Sequence, residues 1–205
     1  MEANSEGMER NILEAAERLF LERGYALVST TDIARSAGCN QALIHYYYRT
    51  KDRLFELVFE KKAQRFFSVI LEMDERGESF EETIRRIVDV HYRILQDEPR
   101  LPFLLFNELT TNPGRIAAIR DRLGGLAERT LAGVDRRLKI EIAEGRIRPI
   151  SLIDLVLNIV SVNVALFIAR PVLISALGIS EEEVARMAER RRLENADFVL
   201  KGIRP

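Results

Sequence analysis

The chain is expected to be all-α. An N-terminal three-helix unit would be built around a helix-turn-helix, and a fourth helix would join it to a larger helical bundle. Three observations predict this. Apolar residues recur at i, i+3/i+4 and i+7 through almost every segment. Ser-x-x-Asp/Glu capping signatures open several of those segments, at Ser29–Asp32, Ser79–Glu82 and Ser180–Glu183. No alternating strand runs separated by hairpin turns occur.

The bulk numbers narrow the class further. A chain of 205 residues can bury one substantial core or two modest ones. Its net charge of −1 means that any polyanionic partner must be met by local charge. The single cysteine excludes an internal disulfide and fits a reducing compartment. The leading stretch MEANSEGMERN is polar and acidic, unlike a secretory leader, so a cytoplasmic location is expected. Catalysis has little to work with: there are two histidines, one cysteine, no metal-ligand spacing and no Gly-rich phosphate loop. No enzyme activity, metal or cofactor is expected.

In order along the chain, a first helix over about 9–23 carries Ile12, Ala16, Leu19 and Phe20 on one stripe and stops at Gly24. A short second helix starts after Ser29 and is broken by Gly38. Asn40 caps a third helix to about Tyr48, and Thr50 caps a long fourth to roughly residue 74. After "DERGES" a helix runs from Ser79 to about Gln96. Further helices are expected over about 103–110, 114–144, 152–176 and 181–201, with Gly124–Gly125 as a weak point in the long central one. The expected domains are 8–68, with the helix-turn-helix at 29–48, and 79–205.

The third helix reads "QALIHYYY". At 100° per residue Ile44 and Tyr48 share the core face, and Ala42, Leu43 and Tyr46 oppose them. Gln41 and His45 take one flank and Tyr47 the other. An outward patch of Gln, Ala, His and Tyr suits a DNA major groove, where Gln can pair with adenine and Ala can touch a thymine methyl. Thr30 and Lys51 stand at helix N-termini, which favour anions. From Arg35 to Arg65, seven basic residues face three acidic ones. Patterning alone leaves a second reading open, a plain helical bundle whose tyrosines bury their rings.

Residues 10 to 60 contain IL-x-AA-x-x-LF, a Gly-Tyr, IA-x-x-AG, and an aromatic cluster followed by Lys. This stretch resembles the N-terminal domain of TetR-family transcriptional regulators. The resemblance implies a double-stranded, near-palindromic DNA operator as partner. It also implies Thr30 and Lys51 as phosphate contacts, Gln41 and Ala42 as base readers, and Tyr46 and Tyr47 as groove and backbone contacts. His45, also expected at the DNA, stands where the family usually has Tyr, and Cys39 where it usually has Val. The cysteine is read as filling the apolar turn.

For the remaining two-thirds, the resemblance implies a homodimer and a small-molecule effector pocket. The chain would then be a repressor released from its operator by a largely apolar effector. A ligand-independent regulator or activator on the same fold is the alternative. The dimer contact is expected over about 152–201, because residues 152–177 are apolar nearly all round. Asp154, Asn158, Ser161, Asn163 and Arg170 interrupt that stretch, so it is read as a packed helix and no membrane partner is expected. Candidate pocket residues are polar or aromatic groups on apolar helices: His91, Tyr92, Phe103, Phe106, Asn107, Asn158 and Asn163.

Overall fold

The helix signals in the sequence are met at most of the expected ends. A computed structural model describes the backbone of residues 2–75 and 77–205, and their side chains except 2–6, 73–75, 109, 113 and 116. Arg76, in the "DERGES" junction, lies outside the described residues. Among the described residues ten helices follow one another: α1 (Glu2–Arg23), α2 (Thr30–Ala37), α3 (Gln41–Tyr48), α4 (Lys51–Glu75), α5 (Phe80–Asp97), α6 (Leu101–Thr111), α7 (Pro113–Arg122), α8 (Leu126–Ala143), α9 (Leu152–Ser175) and α10 (Glu181–Ile203).

Serine caps set the N-termini. The Asp32 N–H donates to Ser29 Oγ at 3.1 Å while the Asp32 carboxylate accepts from the Ser29 N–H at 3.0 Å, a complete capping box. The same reciprocal pair joins Ser79 and Glu82 at the start of α5. Ser151 and Ser180 cap α9 and α10 through the N–H groups of Asp154 and Glu183. Each cap is worth about 1 kcal/mol.

The expected single helix over 114–144 is instead two helices. Gly124 and Gly125 both take positive φ, at 57° and 76°. Two consecutive left-handed residues cannot continue a right-handed helix, so α7 ends at Arg122 and α8 begins at Leu126.

The chain divides into two compact units. Unit 1 comprises Met1–Gln64 with Phe103–Gly124, and unit 2 comprises Arg65–Pro102 with Gly125–Pro205. This grouping differs from a division at 68/79, because most of α6 and all of α7 fall with the N-terminal helices.

In unit 1, Ile12, Ala16 and Phe20 of α1, Ile33 of α2, Ile44 of α3, and Leu54 and Phe55 of α4 are all at or below 1% exposure. The rings of Phe20 and Phe55 meet edge to face at 5.4 Å. In unit 2, Ile84 and Val88 of α5, Leu138 of α8, Leu155 and Ile159 of α9, and Val199 and Ile203 of α10 form one core cluster. A smaller cluster joins Tyr92, Leu95 and Phe167.

By length and composition alone α9 could cross a bilayer. Here its stripe of Leu155, Ile159, Asn163, Leu166 and Phe167 is buried within unit 2. Its opposite side leaves Ile153, Leu157, Ile168 and Val172 exposed.

Candidate nucleic-acid interface and interior cavity

Helix α3 places its side chains as the helical wheel requires. Ile44 and Tyr48 are buried at 1% and 4% exposure, and Tyr46 stands out at 69%. Gln41, Ala42 and His45 are exposed and Tyr47 is half-buried. The buried end of Tyr48 is satisfied, its hydroxyl donating to the Glu9 carbonyl at 2.7 Å. The rings of Tyr46 and Tyr47 meet edge to face at 5.1 Å.

Residues that sequence reasoning placed together are together. Gln41 Nε2 donates to Thr30 Oγ1 at 2.8 Å, which holds the Gln41 amide beside the start of α2. Thr30, Gln41, Ala42, His45 and Arg49 line one shallow surface hollow. His45 Nδ1 lies 2.7 Å from the Arg49 carbonyl. A carbonyl only accepts, so Nδ1 carries the proton and Nε2 is the ring edge left to turn outward.

That carbonyl is aimed by an unusual link between α3 and α4. Arg49 has φ 67° and ψ −52°, and the Thr50 N–H donates to the Tyr48 carbonyl at 2.7 Å. This is a γ-turn centred on a non-glycine residue, a conformation that costs about 1–3 kcal/mol. It reverses the chain within two residues, after which Thr50 caps α4 through the Arg53 N–H.

Lys51 has a larger structural commitment than its sequence position suggests. Its Nζ donates to the carbonyls of Tyr25 and Val28 at 3.0 and 2.9 Å and lies 4.0 Å from the Tyr25 ring centroid. It therefore closes the α1–α2 loop with two of its three hydrogens. Other members of the basic surplus are also paired: Lys62 with Glu17, Arg53 with Glu60 and Arg35 with Asp32. Cys39 is half-buried and its burial pushes the thiol up, away from the reactive thiolate.

Sequence reasoning missed a second layer behind this face. Arg115 of α7, itself 8% exposed, pairs with buried Glu108 of α6 and with Asp52 of α4, the latter at 2.5 Å. Its guanidinium lies 3.8 Å from the Tyr25 ring centroid, and the Tyr25 hydroxyl donates to Asp52 at 2.7 Å. The bond from Tyr25, reinforced by Arg115, holds the Asp52 carboxyl below its ordinary range. Burial pushes the Tyr25 hydroxyl up.

Unit 2 contains a cavity of about 220 Å³. Its walls come from α4 (Phe66, Phe67, Ile70), α5 (Ile84, Ile87, His91), α8 (Thr130, Leu131, Val134) and α9 (Leu152, Leu155, Val156, Ile159, Val160). Of the seven candidate pocket residues, His91 lines it. Asn163, fully buried, stands behind, its Nδ2 3.1 Å from His91 Nδ1. Tyr92 is buried in the separate cluster with Leu95 and Phe167. Asn158 is exposed on α9, and Phe103, Phe106 and Asn107 are exposed in unit 1. The aliphatic walls had no distinguishing signal, because a residue facing a cavity repeats at the same period as one facing a packed core. Among the described residues no group of three or more His, Cys, Asp or Glu could hold a metal ion.

Comparison with known proteins agrees with this architecture. Residues 12–58 match the family described as "Bacterial regulatory proteins, tetR family". An uncharacterized HTH-type transcriptional regulator of Mycobacterium tuberculosis, Rv1255c, is 30% identical over 92 residues, covering 44% of this chain and 45% of that one. The HTH-type transcriptional repressor Rv3405c of the same organism is 33% identical over 84 residues, or 41% and 42% of the two chains. The matches thus span less than half the length of these curated relatives.

Solved structures extend the likeness in fold over nearly the whole chain. A TetR-family regulator from Marinobacter aquaeolei superposes with a TM-score of 0.68 at 19% identity, covering 100% of this chain and 99% of that one. A Saccharomonospora viridis protein in complex with choline gives 0.69 at 24%, covering 96% and 97%. The regulator FadR from Bacillus subtilis, in complex with stearoyl-CoA, gives 0.64 at 16%, covering 91% and 97%. Helices α2 and α3 both lie inside the matched segment, so residues 12–58 form a domain of the type described for the tetR family of bacterial regulatory proteins, and the likeness over the rest of the chain is one of fold.

Proposed function

We propose that this protein is a homodimeric, DNA-binding repressor whose hold on a near-palindromic operator is released by a small molecule in the unit 2 cavity. The observation that carries the reading is α3: a helix with two buried anchors and an outward row of Gln41, Ala42, His45 and Tyr46. Gln41 and Ala42 would read base edges. Thr30, Tyr47 and the remaining hydrogen of Lys51 would reach phosphates. Homodimerisation through α9 and α10 is supported by the apolar residues they leave exposed, and it would set two copies of α3 about one DNA turn, ~34–36 Å, apart. Occupancy of the cavity would shift the dimer toward a spacing that no longer fits both half-sites.

The test is fluorescence anisotropy against DNA surrounding the protein's own coding region, at ~0.15 M salt. Specific binding should exceed binding to random DNA by at least about 10³-fold. Gln41→Ala should flatten that preference, by about 1–3 kcal/mol at the base pair it reads. Lys51→Ala should weaken binding to all sequences and also lower the melting temperature, since it loosens the α1–α2 loop. Equal affinity of the wild type for operator and random DNA would exclude the regulator reading.

A further inference from the structure

Among the described residues, His91 and Thr130 are the only polar side chains in the cavity wall. The Thr130 hydroxyl donates its single proton to the Leu126 carbonyl at 2.8 Å. That leaves His91, among the described residues, as the sole side-chain donor available to a guest.

The protonation of His91 is set from behind by two asparagines. Asn195 Nδ2 donates to the Val162 carbonyl at 3.1 Å and to Asn163 Oδ1 at 2.9 Å. Asn163 Nδ2 in turn donates to the Val88 carbonyl at 2.9 Å and meets His91 Nδ1 at 3.1 Å. Backbone carbonyls only accept, so Val162 and Val88 fix the orientation of both amides. His91 Nδ1 must then accept, and the ring proton sits on Nε2. A second proton would set N–H against N–H, so the imidazole stays neutral. Burial acts in the same direction and lowers its pKa to about 4.

We propose that the cavity selects an uncharged molecule with an apolar body and one hydrogen-bond acceptor, a carbonyl or ether oxygen, held by the Nε2–H of His91. This rests on the reading of the cavity as an effector site. A carboxylate or phosphate would enter an apolar space with no cation among the described residues of its wall. An ammonium would find no carboxylate and no imidazole lone pair. Asn163 and Asn195 act as positioning residues: they hold the tautomer that makes the donor.

The experiment uses the full chain and four matched probes, 2-heptanone, n-heptane, heptanoate and heptyltrimethylammonium, in calorimetric or dye-displacement titrations at pH 7.5. The ketone and the alkane should bind, and the two ions should bind at least about a hundredfold more weakly than the ketone. In His91→Phe the ketone-to-alkane affinity ratio should fall by about 3- to 10-fold, the worth of one neutral hydrogen bond. Imidazole ¹⁵N spectra of the wild type give a readout that needs no variant, since the chain has only two histidines. His91 should be the Nε2–H tautomer from pH 8 to pH 5, and 2-heptanone should move its Nε2 resonance.

An Nδ1–H tautomer, a ratio unchanged in a His91→Phe variant that still binds heptane, or preferred binding of either ion would overturn the proposal and leave the effector site standing. If none of the four probes binds, the effector reading fails and this inference falls with it.

Discussion

Lys51 and His91 show how much a single polar side chain can be asked to hold. Lys51 spends two of its three hydrogens on the carbonyls of Tyr25 and Val28, so the proposed phosphate contact would come from a group already locked in place. His91 is held neutral inside unit 2, and this makes stability depend on pH. Its native pKa is depressed from 6.5 to about 4, chiefly by burial. Above about pH 6.5 neither state binds the proton. Between 6.5 and 4 the unfolded chain binds it and the native state does not, so stability is full at neutral pH and falls as the pH drops through this window. The loss is on the order of 3 kcal/mol by pH 4. Urea melts at pH 7 and pH 5 should show a larger drop for wild type than for His91→Leu. Equal drops would mean that the ring is solvated.

At the scale of elements, the Arg115 cluster ties α6 and α7 to the first turn of α4. Glu108 is 3% exposed and Asp52 sits directly after Lys51, so one guanidinium links a buried carboxylate to the start of α4. Removing one partner of a buried pair strands the other charge, at a cost of about 3–5 kcal/mol. Arg115→Met should therefore destabilise unit 1 by that order in urea denaturation, and adding Glu108→Leu should recover a large part of the loss. A single variant within about 1 kcal/mol of wild type would argue against a desolvated pair. The γ-turn at Arg49 does related work by covalent geometry, since it both reverses the chain into α4 and aims the carbonyl that orients His45.

For the whole molecule, the unpartnered apolar surface is the main feature still to be explained. Ile153, Leu157, Ile168 and Val172 form a stripe along α9 at 47–68% exposure, and Leu193 and Phe198 of α10 are 64% and 68% exposed. A second copy of the chain would cover them, in keeping with the proposed dimer. Sedimentation equilibrium should find a dimer at micromolar concentration. Leu157→Glu with Phe198→Glu should yield a folded monomer that binds a single half-site and loses operator affinity. A wild type that sediments as a monomer would remove α9 and α10 from that role.

The sequence by itself determined most of the helices and the face of α3. Both are local properties: caps act within three residues, and a helical wheel needs only the 100° step, so Ser29, Ser79, Asn40, Ile44, Tyr48 and Tyr46 could be placed without knowing what surrounds them. The double-glycine break was legible as a weak point, but its depth required the backbone angles. Only the tertiary structure decided what depends on contacts between distant segments. It showed Arg115 stacking on Tyr25, 90 positions away in the chain. It also showed which of the many Leu, Ile and Val residues border a void, and that two backbone carbonyls, acting through Asn195 and Asn163, settle where His91 keeps its proton. Packing partners of this kind are chosen by the fold, and no local pattern in the chain encodes them.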